Sequence, residues 1–299
     1  MGLLLLLVAS PAVAQKKVQV VTKTVKQDLK QLLDSGIVVE GKKAQVEVTG
    51  WDKNFIQVEM DLIAKHPQRK VAEKELEFIQ YAITKASDHY VIKNLFYTGG
   101  KAVKVKSHLS VVYRIFLPVD QKVVIHNDYG GMNLRNLYGQ LEIESKFSEI
   151  ALNRFFGEVK ASLDYCELKG TNVDGLLRFD TRRTDIRLED FAGKVSIKNY
   201  LGKIVLFPSS MLRALNVNSK NGKIELTVRS LDAFNYDVKV NSSYISLPDA
   251  ESKLVKVDEV LNEHAFRLRN DVGKANITIT NQLDPVTISY ASTKSGSND

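Results

Sequence analysis

Glycine recurs every 18 residues at Gly139, Gly157, Gly175 and Gly193, in the contexts Leu-Tyr-Gly, Phe-Phe-Gly, Val-Asp-Gly and Phe-Ala-Gly. A fixed period of that length is the mark of a repeat architecture, and the columns around the glycine carry it further. Seven residues before each glycine stand Met132, Ile150, Leu168 and Ile186, and two before stand Leu137, Phe155, Val173 and Phe191. Two after stand Leu141, Val159, Leu177 and Val195, and four after stand Ile143, Ala161, Phe179 and Ile197. Every member of these four columns is apolar. A fifth, five before the glycine, reads Leu134, Leu152, Gly170 and Leu188. The apolar positions alternate on both sides of the glycine, which predicts two short strands per unit, separated by a turn that the glycine permits. One unit cannot bury its own apolar face. Units stacked at the strand spacing of ~4.8 Å make a continuous core, so the fold class expected is mainly β: a β-solenoid of about five coils.

The repeat has irregular flanks. After Gly193 the next glycine, Gly202, comes nine residues later; Phe207 to Arg213 reads as an insertion that bulges out as a loop, and the pattern returns near Gly222 with Ile224, Leu226 and Val228. From Asp249 to Tyr290 less regular strands close the end, and the polar stretch after residue 290 reads as a disordered tail. Upstream, Val18 to Val25, Ala44 to Val48 and Phe55 to Met60 read as strands, the last two joined across the turn at Gly50-Trp51-Asp52. Between Gln68 and Ser87 the period changes to that of one amphipathic helix of about five turns, with Val71, Leu76, Ile79, Ala82 and Ile83 on one face. The domain plan expected is a leader over 1–14, an N-terminal α+β portion over 15–120, the solenoid with its cap over 121–290, and the tail over 291–299.

Leu3 to Val8 form an apolar run, followed by Ser10-Pro11 and by Ala12-Val13-Ala14 before Gln15, the order of features that signal peptidase reads. The run falls far short of the ~20 residues a spanning helix needs, so no transmembrane segment is expected and the mature chain should be soluble. Export places the protein in the periplasm or at the surface of a Gram-negative bacterium, where nucleic acid is not a partner. The 42 basic residues exceed the 35 acidic ones. Most of that surplus lies in residues 15–120, with 18 basic and 12 acidic side chains, an arrangement suited either to a solvated surface or to contact with an anionic one. A single cysteine, Cys166, rules out a disulfide scaffold and a cysteine-based zinc site.

Val46-Glu47-Val48-Thr49-Gly50-Trp51-Asp52-Lys53 is followed by a Val/Met strand and the predicted helix, and Asn127-Asp128-Tyr129-Gly130 opens the run of glycine-punctuated units. Over most of residues 40–250 this text resembles the toast-rack, or "putative adhesin", family of exported bacterial envelope proteins. The resemblance implies a β-helical stack acting at the cell envelope and brings no catalytic residues with it. The text departs from the family's in the helix and over Gln27 to Ser35.

Eight residues before the glycine stand Glu149, Glu167 and Asp185, three carboxylates in register. A column of oxygen ligands suits a hard cation or a sugar, but the glycine and repeated aspartates of a calcium loop are missing, and Lys160, Lys169, Arg178 and Arg187 stand in adjacent columns. Asp180-Thr181-Arg182-Arg183-Thr184-Asp185 is the densest charged turn. Arg182, Arg183 and Asp185 there, with Glu149 and Glu167, are the candidate binding residues. The same turn could serve a polysaccharide lyase or hydrolase only if its groups converged in a cleft. No Ser-His-Asp ordering, phosphate loop or HExxH helix is present, and the five histidines are scattered, so neither a metal nor a cofactor is expected. Trp51 reads as a turn or core anchor, with a sugar-stacking platform as the alternative. The function expected is that of a non-enzymatic adhesin-like or scaffold module binding a glycan or another envelope protein, with a polysaccharide-acting enzyme as the alternative.

Overall fold

The structure, a computed structural model, describes residues 17–31, 36–100 and 103–291. The candidate leader and residues 292–299 of the expected tail lie outside the described residues. Strands account for 69% of the described residues and helix for 6%, so the mainly β class stands. The N-terminal part holds β1 (Gln19–Lys30), β2 (Gly36–Lys42), β3 (Ala44–Trp51), β4 (Phe55–His66), α1 (Arg69–Leu76), β5 (Ile79–Lys85), β6 (His89–Phe96) and β7 (His108–Pro118). The repeats supply β8 (Lys122–Asp128), β9 (Met132–Leu137), β10 (Gln140–Lys146), β11 (Glu149–Asp164), β12 (Glu167–Arg182), β13 (Asp185–Tyr200), β14 (Ile204–Lys220) and β15 (Ile224–Val228). The C-terminal part adds β16 (Asn235–Asn241), β17 (Ile245–Ser246), β18 (Val255–Asp258), β19 (Glu263–Leu268), β20 (Asn276–Gln282) and β21 (Val286–Tyr290).

Among the described residues, all 21 strands belong to one sheet that does not close on itself. Neighbouring strands form two runs. One passes β1-β4-β7-β3-β9, then the N-terminal halves of β11 to β14, then β15-β21-β17. The other passes β5-β6-β2-β8-β10, the C-terminal halves of β11 to β14, then β20-β16-β19-β18. The long strands belong to both runs because each bends in its middle. Along β11 the buried positions are Ile150, Leu152, Phe155, Val159, Ala161 and Leu163, and the wider steps across the bend keep side chains inward while the chain turns. All sixteen residues of the four apolar columns are buried at 3% exposure or less. The sheet continues without interruption between residues 120 and 121, and one apolar cluster runs from Leu29 to Ile288.

Pairing across the repeats is parallel and offset by one period: Ile150 faces Leu168, which faces Ile186. The glycine column follows from this stacking. A Cβ on Gly157 would lie 2.1 Å from the Gly139 carbonyl oxygen, and one on Gly175 would lie 1.9 Å from that of Gly157. Backbone therefore rests on backbone, and a side chain has no room. The sharp change of direction belongs to the residue three positions earlier, where Asn136, Arg154, Asn172 and Asp190 adopt left-handed φ.

A second corner repeats with the same period. Tyr129, Phe147, Tyr165, Arg183 and Leu201 all have left-handed φ and are followed by Gly130, Ser148, Cys166, Thr184 and Gly202. Gly202 is thus a member of this opposite column, where the sequence read it as a slipped register. Polar side chains line the corner from inside and hold its carbonyls. Asn127 Nδ2 donates to Ala44 O (3.0 Å), Asn199 Nδ2 to Gly202 O (3.0 Å) and Thr181 Oγ1 to Asn199 Oδ1 (2.8 Å).

Three further expectations need correction. The helix ends at Leu76; Ile79 to Lys85 pair antiparallel with β6, because Ile79, Tyr81, Ile83 and Thr84 are β-formers and a sheet edge is open to them. The insertion after Phe207 stays within β14 as bulges, its register against β13 moving from Ile186↔Ile204 to Lys194↔Ala214. The turn after Gly50 joins β3 to β4 as expected, and β7 lies between the two in the sheet. The last strands do not simply cap the stack: β20 and β21 return to fill the slot between β14-β15 and β16-β17.

Candidate functional site

Stacking one left-handed corner on the next sets Tyr129, Phe147 and Tyr165 in a line outside the molecule. Their ring centroids are 4.9 Å apart at each step, with interplanar angles of 7° and 16°. The Arg183 guanidinium covers the next ring face, 4.8 Å from the centroid of Tyr165. The faces between Tyr129, Phe147, Tyr165 and Arg183 are spent on one another, so along its length the ladder offers ring edges and two phenolic hydroxyls, with the outer face of Tyr129 at its end.

Beside this ladder the pair Gly130-Gly131 leaves a notch in the surface. A Cβ on Gly130 would lie 1.9 Å from the Ala44 carbonyl oxygen, and one on Gly131 would lie 2.7 Å from Gln45 Oε1. A groove runs over the notch between Gln45, Phe147, Tyr165, Glu149 and Glu167. It continues across Asn133, Ala151 and Lys169. Amides, carboxylates and aromatic edges therefore share one shallow channel. Cys166 stands at its back with its thiol directed to the carbonyls of Asp164 and Ser145, at 3.3 and 3.5 Å. Burial pushes that thiol's pKa up, which removes it as a thiolate nucleophile.

The three carboxylates face one another in register, as Glu149↔Glu167 and Glu167↔Asp185. Two are engaged. Glu167 meets Lys169 Nζ at 2.7 Å, and Asp185 Oδ1 accepts the Lys203 backbone N–H at 2.7 Å. The Glu149 carboxylate makes neither a hydrogen bond nor a close ion pair among the described residues, and the Lys169 ammonium acts on it only through space. Its carboxylate is left facing solvent in the groove.

Arg182, Arg183 and Asp185 do not converge. Arg182 forks onto Asp164 with contacts of 3.1 and 2.9 Å, Arg183 lies on Tyr165, and Asp185 caps Lys203. The Arg182 hydrogen bond, foremost among the causes, holds the Asp164 carboxyl below the usual carboxylate range. Lys42, Asp128, Lys146, Asp164 and Arg182 are neighbours in successive strands, a row of alternating charge in which Arg182 is one rung. Glycoside hydrolysis needs carboxyl groups on opposite sides of the bond to be cut, whereas Glu149 and Glu167 project side by side from adjacent strands. Among the described residues, no three His, Cys, Asp or Glu side chains gather to hold a metal ion. His126 meets Glu144 at 3.3 Å and His89 meets Asp88 at 2.7 Å, both as exposed pairs. Trp51 donates to Phe55 O at 3.0 Å and stacks on Phe116, which makes it an anchor of the β3–β4 turn. No helix among the described residues is long and apolar enough to cross a membrane.

The sequence reading missed the groove and the aromatic ladder. Their signal was present ten residues before each glycine, where Tyr129, Phe147, Tyr165 and Arg183 repeat with the period of 18.

No family model and no curated relative matches the chain. In fold it is similar to solved structures of "putative adhesins". One from Bacteroides fragilis is 12% identical with a TM-score of 0.47, and the match covers 90% of this chain and 97% of that one. One from Parabacteroides distasonis is 10% identical with a TM-score of 0.45, over 90% and 97%. A "putative lipid binding protein" from the same species is 10% identical with a TM-score of 0.37, over 89% and 96%. At these identities no functional residue is carried across.

Proposed function

We propose that the protein is an exported, non-enzymatic binding module of the cell envelope, in which a β-solenoid displays a regular outer surface to a glycan or an extended segment of another envelope protein. Residues 1–14 serve as the leader, residues 15–120 as the N-terminal portion and residues 121–290 as the main stack. The reading rests on one observation: the Gly130-Gly131 groove, where the exposed Glu149 carboxylate makes no hydrogen bond or close ion pair and stands beside the amides of Gln45 and Asn133. Elsewhere along the candidate residues the charges are committed to neighbours, so they hold the surface together and leave no set of groups converging on one reacting bond. A channel of carboxylate and amide groups on a rigid stack recognises hydroxyls or amides of an extended chain by hydrogen bonds, with aromatic edges limiting its width.

The test is a glycan-array binding assay run beside a product assay on acidic polysaccharides. Binding without products is expected, with Glu149→Gln weakening it about tenfold, the scale of one charge-assisted hydrogen bond. Arg182→Ala should leave binding unchanged. Turnover that is abolished by Arg182→Ala or Asp185→Ala would overturn the reading.

A further inference from the structure

The open sheet ends, among the described residues, in strands that have one hydrogen-bonded neighbour each. At one end β1 pairs only with β4 and β5 only with β6; at the other β17 pairs only with β21 and β18 only with β19. A strand with a free edge presents unpaired N–H and C=O groups and is a template for another chain. β1 is the longest of these edges, at 12 residues.

The two ends carry opposite charge. Residues 17–30 hold Lys17, Lys23, Lys26 and Lys30 against Asp28, a surplus of three positive charges. Residues 249–268 hold Asp249, Glu251, Asp258, Glu259 and Glu263 against Lys253, Lys256 and Arg267, a surplus of two negative charges. Both ends also leave apolar side chains in water: Val18 (55% exposed) and Val20 (56%) on the basic end, Val257 (56%) and Leu261 (66%) on the acidic one. Charges on a free edge exclude like edges. Two β1 strands side by side would set lysine against lysine, and two β18 strands would bring acidic turns together; each arrangement is repulsive. A β1 edge laid on a β18–β19 end meets opposite charge and covers apolar surface on both sides.

We infer that copies of this chain associate head to tail, the β1 edge of one joining the β18–β19 end of the next. The contact uses different patches on the two partners, so it leaves a free end of each kind and extends into a linear assembly. The groove at Gly130-Gly131 is remote from both ends in strand order, so each copy in such a row would keep its own groove open.

Sedimentation velocity on the mature chain, at low and high salt, tests this. At about 50 mM salt, association that grows with protein concentration is expected, falling back toward monomer at about 500 mM as screening shortens the reach of the charges. Lys23→Glu with Lys26→Glu should weaken association at least tenfold, and adding Asp249→Lys with Glu259→Lys to the same chain should restore it. A monomer at high concentration in low salt, or association indifferent to the lysine reversal, would overturn the inference. Oxidative cross-linking fixes the geometry, because the buried Cys166 takes no part. Chains with Val20→Cys mixed with chains with Val257→Cys should give mixed dimers, whereas efficient cross-linking of Val20→Cys to itself would mean a symmetric contact and contradict the proposal.

Discussion

Replacing Phe179 with Ala tests the inward register of the repeats. Phe179 is 2% exposed and stands between Ala161 and Ile197 on the neighbouring strands. Ala161 is the smallest member of its column, so the phenyl ring fills space that the adjoining coil leaves empty. Truncation would set two alanines on adjacent strands, and Ile197 could reach the void only if its strand moved. Core Phe→Ala changes cost about 3–5 kcal/mol, rising with the cavity that remains, which puts this substitution in the upper half of that range. The control is Lys160→Ala, one residue before Ala161 on the outer side, where Nζ lies 3.4 Å from Glu142 in an exposed pair. Such a pair contributes little, and the change should cost below about 0.5 kcal/mol. Equilibrium urea unfolding followed by far-ultraviolet circular dichroism reads both, compared by midpoint at unchanged slope. Equal shifts for Phe179→Ala and Lys160→Ala would refute the assignment of inward and outward faces.

Gly175→Ala should destabilise by about 3 kcal/mol or more, since φ is +129° and the new Cβ would meet the Gly157 carbonyl oxygen; Gly273→Ala, with open space around it, should stay within about 0.5 kcal/mol in the same melts. A mild effect at Gly175 would mean the neighbouring strands are not packed backbone on backbone there. Asp164 carries the pH prediction: its carboxyl is depressed in the folded state, so the Arg182 pair contributes above the ordinary carboxylate range and is lost as pH falls through the lowered value. Arg182→Met should raise the Asp164 carboxyl toward the ordinary range in a carbon-detected NMR titration, with Arg183 and Lys146 still holding it down, and an unmoved titration would show the pair does not form.

What was legible in the sequence was what repeats. Met132, Leu137, Leu141 and Ile143 and their counterparts could be assigned to the core because burial on a stacked strand demands an apolar residue at every period. The same test placed Glu149, Glu167 and Asp185 in register, because columns in sequence become rows across a parallel sheet. It could not show that Glu149 makes no hydrogen bond or close ion pair, which depends on Lys169 directing its ammonium group to Glu167. Ile79 and Ile83 fit a helical and an extended period alike, and the antiparallel partner β6 decided between them. The return of β20 and β21 into the stack left no local trace, since any apolar alternating segment satisfies a vacant slot. Gly202 was misread because both corners share one period, and only their separation along the coil distinguishes them.

The central claim is that the outer surface is a lattice whose rows are residues 18 apart. Nitroxide pairs placed on one row measure it, with buried Cys166 left unlabelled. Lys160 faces Arg178, Arg178 faces Ser196, and Lys160 also faces Glu142. Labels at 160 and 178 should therefore be one strand spacing apart, about 4.8 Å in backbone, those at 160 and 196 about twice that, and those at 142 and 196 about three times. Dipolar broadening in electron paramagnetic resonance should be strong for the first pair and fall stepwise through the other two. Broadening of the 160/178 pair no greater than that of the 142/196 pair would contradict the lattice and the binding surface built on it.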